Sequence, residues 1–224
     1  MLRWGLYSLR NLWARRVTTA LTVVGLGLVV FVLLAVLMLA HGLERTLGKT
    51  GDPENVIILR KGALSEIGSS LSREEIRAVA AQPDVRLTAD GRPLAVAEVG
   101  LQLTLRKGQG GSLTSVTLRG TAPEALAVRP AIRLIQGRLW KPGTTEIVVG
   151  ASIARQFPDA RVDRVLHFGN WAWTVVGVFE AGGSGFDSEV WGDAEQFLAT
   201  FHRATFSSMT LRLAHPATLP AFKD

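Results

Sequence analysis

Hydrophobic and polar positions divide the chain into one long apolar segment and a series of short patterned segments. Residues 17–40 carry no charged side chain. As a helix this segment is roughly 36 Å long at ~1.5 Å per residue, enough to cross a hydrocarbon layer of about 30 Å. The pattern therefore predicts a membrane-spanning helix, which we place over residues 17–43. A cleaved signal peptide is the alternative, but its apolar region is usually only ~7–15 residues long.

Arginines flank the apolar segment on its N-terminal side. The four arginines there are accompanied by no acidic residue, whereas charges of both signs follow the segment; they are Arg3, Arg10, Arg15 and Arg16. Because cytoplasmic flanks collect Lys and Arg, this asymmetry predicts a cytoplasmic N-terminus and a chain that continues outside the cytoplasm. Leucines at helical spacing predict that residues 1–16 form a cytoplasmic interfacial helix. The alternative is that these residues simply extend the membrane helix.

After the apolar segment the pattern becomes that of a folded domain. Residues 44–55 are polar and rich in glycine, which predicts a linker, and residues 56–59 form the first predicted strand. Ser72 followed by Glu75 is a capping box, so a helix is expected to begin there and to end before Pro83. We therefore assign residues 56–224 to one extracytoplasmic domain, with a division into two lobes as the alternative.

Alternating residues indicate a β-hairpin in the middle of this domain. Leucines at 101, 103 and 105 alternate with polar residues, and the same pattern returns around Val116 and Leu118 after a glycine-rich tip at residues 107–112. Further patterns predict short helices at 122–128, 151–157 and 193–201, and strands at 147–149, 171–179 and 208–213. The predicted fold class is α+β, one transmembrane helix followed by a mostly antiparallel mixed α/β domain.

Charge and cysteine content narrow the function classes. The net charge is +6 and the pI about 10.5, but the N-terminal arginines account for most of the excess, so no nucleic-acid partner is predicted. The chain has no cysteine, which excludes disulfides, thiolate nucleophiles and cysteine-bearing zinc sites.

Short motifs give no sign of catalysis. Residues 48–50 read Gly-Lys-Thr, but a phosphate-binding loop also needs a glycine at position 43, where Leu43 stands. The histidines lack metal-ligand spacing, and no serine has a base near it in the sequence. We therefore predict no catalytic, cofactor-binding or metal-binding residue, no cofactor and no enzymatic activity.

Residues after the glycine-rich loop at 182–185 are the best candidates for a contact site. Asp187 and Glu189 are expected in a solvated loop with a helix cap, with a calcium or acid–base pair as the alternative. Trp191 is either a core residue or a contact anchor, so the three together form a possible partner contact. The tryptophans expected in the core are Trp140, Trp171 and Trp173.

Four stretches carry a resemblance to a known family. Residues 137–140, 146–150, 173–179 and 186–193 resemble the extracytoplasmic core of MacB-type ABC transporter permeases, a family that includes FtsX-like and LolC-like permeases. The order of parts is also similar, because an interfacial helix and a first membrane helix precede a large periplasmic domain in these permeases.

The resemblance implies a permease subunit of the bacterial inner membrane. Such a subunit couples a partner ATPase to movement of its periplasmic domain, which acts on extracytoplasmic substrate. The implied partners are the ABC ATPase subunit, other copies or a paralogous permease, a periplasmic adaptor or lipoprotein, and membrane lipids. Family members continue into further membrane helices, which predicts that this chain is an N-terminal part or a truncated form. The alternative function is a signal-anchored periplasmic binding or scaffold module without transport activity.

Overall fold

The computed structural model describes residues 16–48, 54–108 and 111–215, without the side chains of residues 44–48. The chain divides into two compact units after Gly48. Helix α1, Arg16–Gly48, is the described part of the first unit. It continues past Leu43, so residues 44–48 of the predicted linker are helical. The interfacial helix predicted for residues 1–16 lies outside the described residues except for Arg16.

Helix α1 exposes its apolar side chains along its described length. Residues 16–43 form a candidate membrane span; its most apolar stretch of 18 residues has a mean hydropathy of 3.1, and none of that stretch is buried inside the protein. Apolar surface of this extent is unfavourable in water, because a soluble protein rarely leaves a large contiguous apolar patch uncovered. The helix is therefore long and apolar enough to cross a membrane.

The second unit is built on a mixed sheet. Its strands have the spatial order β1-β9-β2-β3-β8-β5-β7-β4, with β6 also paired to β7. The strands are β1 Asn55–Ile58, β2 Ala95–Arg106, β3 Leu113–Thr121, β4 Arg133–Gly137, β5 Glu146–Gly150, β6 Val165–Phe168, β7 Trp171–Glu180, β8 Glu189–Asp193 and β9 Ser208–Arg212. Among the strands of the described residues, only β3 with β8 and β5 with β7 are parallel. The structure thus confirms the predicted α+β, mostly antiparallel fold class.

Short helices connect and cover the strands. They are α2 Arg73–Ala80, α3 Ala125–Val128, α4 Ala151–Gln156 and α5 Ala194–Thr200, with a 3₁₀ helix at Gly185–Ser188. Helix α2 confirms the predicted capping box, because the Ser72 hydroxyl accepts from the Glu75 N–H while the Glu75 carboxylate accepts from the Ser72 N–H. These two bonds satisfy N–H groups that have no partner inside the helix.

Two hairpins determine the strand order locally. Strands β2 and β3 pair from Val99 with Gly120 to Arg106 with Leu113, which confirms the predicted hairpin and its tip. Strands β6 and β7 are joined by Gly169 and Asn170, whose φ angles are 57° and 61°. Positive φ at both central residues is typical of the type I′ turn, whose twist matches that of the strands it joins.

Alternation along the strands gives the sheet two differently buried faces. Three leucines of β2 and two residues of β3 pack against an aromatic core, which we define by its large rings, Phe168, Trp173, Phe197 and Phe201; the five are Leu101, Leu103, Leu105, Val116 and Leu118. On the opposite face Val96 of β2 belongs to a second apolar cluster, which contains Trp140, Phe179 and Trp191. Trp140 and Trp173 are buried as predicted. The prediction for Trp171 is wrong, because it lies beside the β6–β7 turn and is 53% exposed.

Candidate functional site

Five buried or half-buried charged residues meet on the face of the sheet opposite the aromatic core. We call them the buried charge cluster: Glu66, Glu98, Arg119, Arg129 and Glu189. Glu98 of β2 is at its centre and is fully buried. A buried carboxylate is stable only when its oxygens are paired, so the contacts around Glu98 decide whether this arrangement holds.

Glu98 is satisfied by two arginines and two threonines. Its Oε1 accepts from Arg129 Nη1 at 2.9 Å and from Thr121 Oγ1 at 3.1 Å. Its Oε2 accepts from Arg129 Nη2 at 2.5 Å, Arg119 Nη1 at 3.2 Å and Thr210 Oγ1 at 2.9 Å. The bidentate contact with Arg129 matches the planar fork of a guanidinium to the two carboxylate oxygens.

Arg119 of β3 extends the cluster to two more carboxylates. Its Nε and Nη2 donate to Glu189 at 2.8 and 3.0 Å, and its Nη1 and Nη2 donate to Glu66 at 2.6 and 3.2 Å. Glu66 belongs to the connection between β1 and α2, and it also accepts from Ser208 Oγ at 2.5 Å. One guanidinium therefore joins three strands to a segment that is distant in sequence.

The strand register explains why these side chains meet. Ser208 of β9 stands opposite Glu98, and Thr210 stands opposite Val96. Arg119 of β3 stands opposite Trp191 of β8. Since alternate residues of a strand point to the same face, Glu98, Arg119, Thr210 and Glu189 all project from one side of the sheet.

Aromatic rings cover the two arginines. The Phe186 ring lies 5.3 Å from the Arg119 guanidinium carbon and 5.2 Å from that of Arg129. The Trp191 ring lies 5.6 Å from the Arg129 guanidinium, and its Nε1 donates to Glu189 Oε2 at 2.7 Å. Cations over aromatic faces are stabilised by the ring quadrupole, so these rings exclude water without leaving the charges unpaired.

Glu98 and Arg119 remain ionised despite their burial. Burial acts to raise the pKa of Glu98, but Arg129 and Arg119 outweigh it and hold that pKa below its ordinary value. Burial likewise acts to lower the pKa of Arg119, and the carboxylates of Glu189, Glu98 and Glu66 raise it well above its ordinary value. Groups held so firmly in one charge state are poor proton donors or acceptors near neutral pH. The buried charge cluster is therefore suited to holding strands of the sheet together.

The structure brings the three predicted contact residues together beside this cluster. Asp187, Glu189 and Trp191 are 5%, 8% and 1% exposed, so the expectation of a solvated loop is wrong. The physical reason is pairing: Asp187 accepts from the N–H groups of Ala181 and Gly183, both at 2.7 Å, and Glu189 pairs with Arg119. Their contact with a partner stays a prediction.

The remaining predicted site residues concern membrane topology. Arg16 begins α1 and is exposed, whereas Arg3, Arg10 and Arg15 lie outside the described residues. Within residues 16–48, 54–108 and 111–215, no group of three or more metal-ligating side chains is placed to hold an ion.

Four of the five cluster residues were not predicted from the sequence: Glu66, Glu98, Arg119 and Arg129. A signal was present for two of them, because Glu98 and Arg119 interrupt apolar strand segments at positions that share a face with buried residues. A charge at such a position predicts a buried partner of opposite sign. No local pattern identifies that partner. Glu98 lies 21 residues before Arg119 and 31 residues before Arg129 in the sequence.

Comparisons with known proteins agree with this fold. A family model described as the MacB-like periplasmic core domain matches residues 19–224. The periplasmic region of MacB from Actinobacillus actinomycetemcomitans aligns with a TM-score of 0.56 and 15% identity, covering 79% of this chain and 83% of that chain. The extracellular domain of the noncanonic ABC-type transporter YknZ from Gram-positive bacteria aligns with a TM-score of 0.55 and 16% identity, covering 75% and 87%. At these identities the two structures show a common fold. A search of curated proteins gives no match.

Proposed function

The chain belongs to the family of MacB-like periplasmic core domains, and on this premise we propose that it is a permease component of an ABC transporter in the bacterial inner membrane. Residues 17–43 anchor it, residues 1–16 lie on the cytoplasmic side, and residues 56–224 form the extracytoplasmic domain. The single observation that carries the proposal is the exposed apolar helix α1, followed by a folded domain of this family. Permease components of this type work with an ABC ATPase and have a transport role, distinct from catalysis.

We propose that the domain transmits movement as one body. ATP hydrolysis by the partner ATPase moves the cytoplasmic end of the membrane helices, and α1 carries that movement to the extracytoplasmic domain. The buried charge cluster supports this proposal, because Arg119 and Arg129 join β2, β3, β8 and β9 through contacts that leave no charge unpaired. A domain whose strands are joined in this way moves without shearing between them.

Single-cysteine labelling tests the orientation. The chain has no cysteine, so Ser8→Cys and Lys61→Cys each introduce one thiol at a known position. In intact spheroplasts, a membrane-impermeant maleimide is expected to label Lys61→Cys, at an exposed position of the domain, and to leave Ser8→Cys unlabelled until the membrane is permeabilised. The reverse labelling pattern would disprove the orientation.

Purification from gently solubilised native membranes tests the partner. We expect an ABC ATPase subunit, identified by peptide mass spectrometry, to accompany the permease that contains this chain. A correctly oriented protein that carries no ATPase through several mild detergents would contradict the transport role and favour the anchored scaffold module.

A further inference from the structure

The sheet has a gap beside the first residues of β2. Strand β9 pairs with one edge of β2 from Ala95 to Glu98. On the other edge the pairing with β3 begins at Val99, because β3 ends at Thr121 and the chain then turns into α3. Residues 95–97 therefore have a neighbouring strand on one edge and none among the described residues on the other.

The open edge presents backbone groups of Ala95 and Ala97. The Leu94 C=O accepts from the Arg212 N–H of β9 at 3.0 Å, and the Glu98 C=O accepts on the same side at 2.8 Å. Since the backbone groups of successive strand residues point to alternate edges, Ala95 and Ala97 direct their N–H and C=O groups toward the gap. In the part of the chain that the structure describes, no backbone hydrogen bond reaches these four groups. Such a row of unused donors and acceptors is what allows a strand to pair with another chain.

A groove of about 540 Å³ lies at this gap. Residues 93–97 form one wall, and the other walls come from α2, the start of α5 and the connection between β3 and α3. Much of the lining consists of small apolar side chains: Ala80, Ala95, Ala97, Ala122, Ala127 and Ala194. Because these side chains are short, the open edge remains accessible from the groove, and Ala95 and Ala97 are only half-buried. The volume lies within the roughly 300–1,000 Å³ of sites that enclose ligands.

Carboxylates outnumber guanidinium groups in the lining of the groove. Glu124, Asp193 and Glu195 line it together with Arg92. Arg92 is shared by Glu124 at 3.7 Å and Asp90 at 3.5 Å, whereas Glu195 has its own arginine in a bidentate contact. The Asp193 carboxylate accepts from three backbone N–H groups, which carry no charge, and it forms an ion pair with none of the described residues. A guest with a positive charge is therefore favoured over an acidic one.

We propose that this groove binds an extended peptide segment of a partner protein, in which small or apolar side chains stand next to a lysine or arginine. The segment lies where β3 would continue beyond Thr121, and its backbone pairs with Ala95 and Ala97. Backbone hydrogen bonds provide the affinity of such strand addition, and the pockets beside the strand select its side chains. The proposal is independent of the function proposed above, because the groove belongs to the folded domain alone.

Selection from a random library of short peptides tests the occupant. The bait is the full chain in lipid nanodiscs, and empty nanodiscs remove the peptides that bind lipid. We expect the retained peptides to combine small or apolar residues with at least one lysine or arginine. No enrichment over empty nanodiscs, or enrichment of acidic peptides, would overturn the proposal.

Methylation of the peptide backbone tests pairing as a strand. In synthetic copies of an enriched peptide each N–H is methylated in turn, and the Kd for the full chain is measured by fluorescence anisotropy. Because a strand uses every second N–H to pair with one neighbour, methylation at alternate positions should weaken binding several-fold. Methylation at the positions between them should leave the Kd unchanged. An equal effect at all positions would contradict strand addition.

Two tryptophan variants on α2 test the location of the bound peptide. Ala80 lines the groove, whereas Ala78 is exposed on the same helix and does not line it. Ala80→Trp is expected to weaken peptide binding several-fold, and Ala78→Trp to leave it unchanged. Equal binding to both variants would show that the peptide binds elsewhere and would overturn the proposal. If Ala80→Trp does not fold, Ala127→Trp, at an exposed position of α3 in the groove lining, is expected to give the same reduction.

A second matched pair tests the charge of the guest. Glu124→Gln removes a carboxylate from the groove, whereas Glu74→Gln removes one from an exposed position of α2 outside it. Only Glu124→Gln is expected to weaken binding of the enriched peptide, by several-fold. The same Kd for both variants would overturn the assignment of a basic guest. None of these outcomes affects the orientation measured by cysteine labelling, so the two proposals fail separately.

Discussion

On one face of the sheet Trp173 and Phe197 pack edge to face with ring centroids 4.9 Å apart, whereas on the other face Glu98, Arg119 and their partners are buried as ions. The aromatic core depends on many small contacts, and each can relax when a neighbour changes. The buried charge cluster depends on a few contacts that balance a large desolvation penalty. The two faces are equally dry, but they should respond very differently to conservative substitutions.

The largest effect is expected for Arg119→Met. Removal of the Arg119 guanidinium leaves three carboxylates, those of Glu66, Glu98 and Glu189, with Arg129 as the remaining guanidinium of the cluster. Breaking a buried ion pair costs about 3–5 kcal/mol in the free energy of unfolding. Chemical denaturation followed by tryptophan fluorescence measures the loss. Arg161→Met, at an exposed arginine, is the control and should change stability by less than about 0.5 kcal/mol. An equal loss of stability in the two variants would contradict the proposal that the buried charge cluster is more sensitive to substitution than the aromatic core.

Glu66→Gln should have a smaller and more local effect. The variant keeps the shape of the side chain but weakens its contacts with Arg119 and Ser208, for an expected cost of about 1–3 kcal/mol. Hydrogen exchange should become faster in residues 60–70, which Glu66 holds against the sheet. Glu74→Gln, at an exposed position of α2, is the control. Unchanged exchange in residues 60–70 would show that Glu66 does not secure this segment.

Ile147→Val measures the aromatic face. Ile147 is fully buried against the aromatic core, and the loss of one methylene there costs about 0.5–1.5 kcal/mol. Denaturation under the same conditions gives the value to compare with Arg119→Met. Ile135→Val is the control, because Ile135 is 56% exposed. A cost above that of Arg119→Met would reverse the proposed ranking of the two faces.

The smallest effect concerns an ion pair at the surface. Arg138 donates to Glu146 at 2.6 and 2.7 Å and is the main cause that lowers the pKa of Glu146 to about 2. Because this pKa is below its ordinary value of 4.5, the pair stabilises the fold above pH 4.5 and loses its effect as the pH falls toward 2. Since Arg138 is half exposed, Glu146→Gln should cost less than about 1 kcal/mol at neutral pH.

Thermal melting as a function of pH checks that expectation. The difference in Tm between the natural chain and Glu146→Gln should narrow from pH 4.5 down to pH 2. A difference that is constant over this range would mean that the ionisation of Glu146 does not contribute to stability.

The contrast between local patterns and contacts that join distant residues explains which features were predictable from the sequence. Alternation revealed the β2–β3 hairpin, and the capping box revealed the start of α2, because both signals are local. Strand β8 was missed since Glu189 and Asp193 gave it the composition of a polar loop. Glu189 is compatible with a buried strand only because Arg119 neutralises it from 70 residues away, which no local pattern reports.

Other errors have equally specific causes. Strand β6 was not predicted, although its apolar residues precede Gly169 and Asn170, which are typical turn residues. Trp171 shares the period of Trp173, but period alone does not show whether anything covers the end of a strand. The apolar helix was the most certain element, because its length and composition need no tertiary context.

The position of β9 has a consequence for how the domain is made. Strand β9 lies between β1 and β2, and Asn55 of β1 pairs with Arg212 of β9, which is far later in the sequence. While the ribosome is still adding residues before Ser208, β1 lacks its neighbour and one edge of β2 is open. Completion of the sheet must therefore wait until Ser208–Arg212 has been synthesised, and slow folding is typical of such distant pairings. During that interval the nascent chain has to be protected from aggregation through its open strand edges.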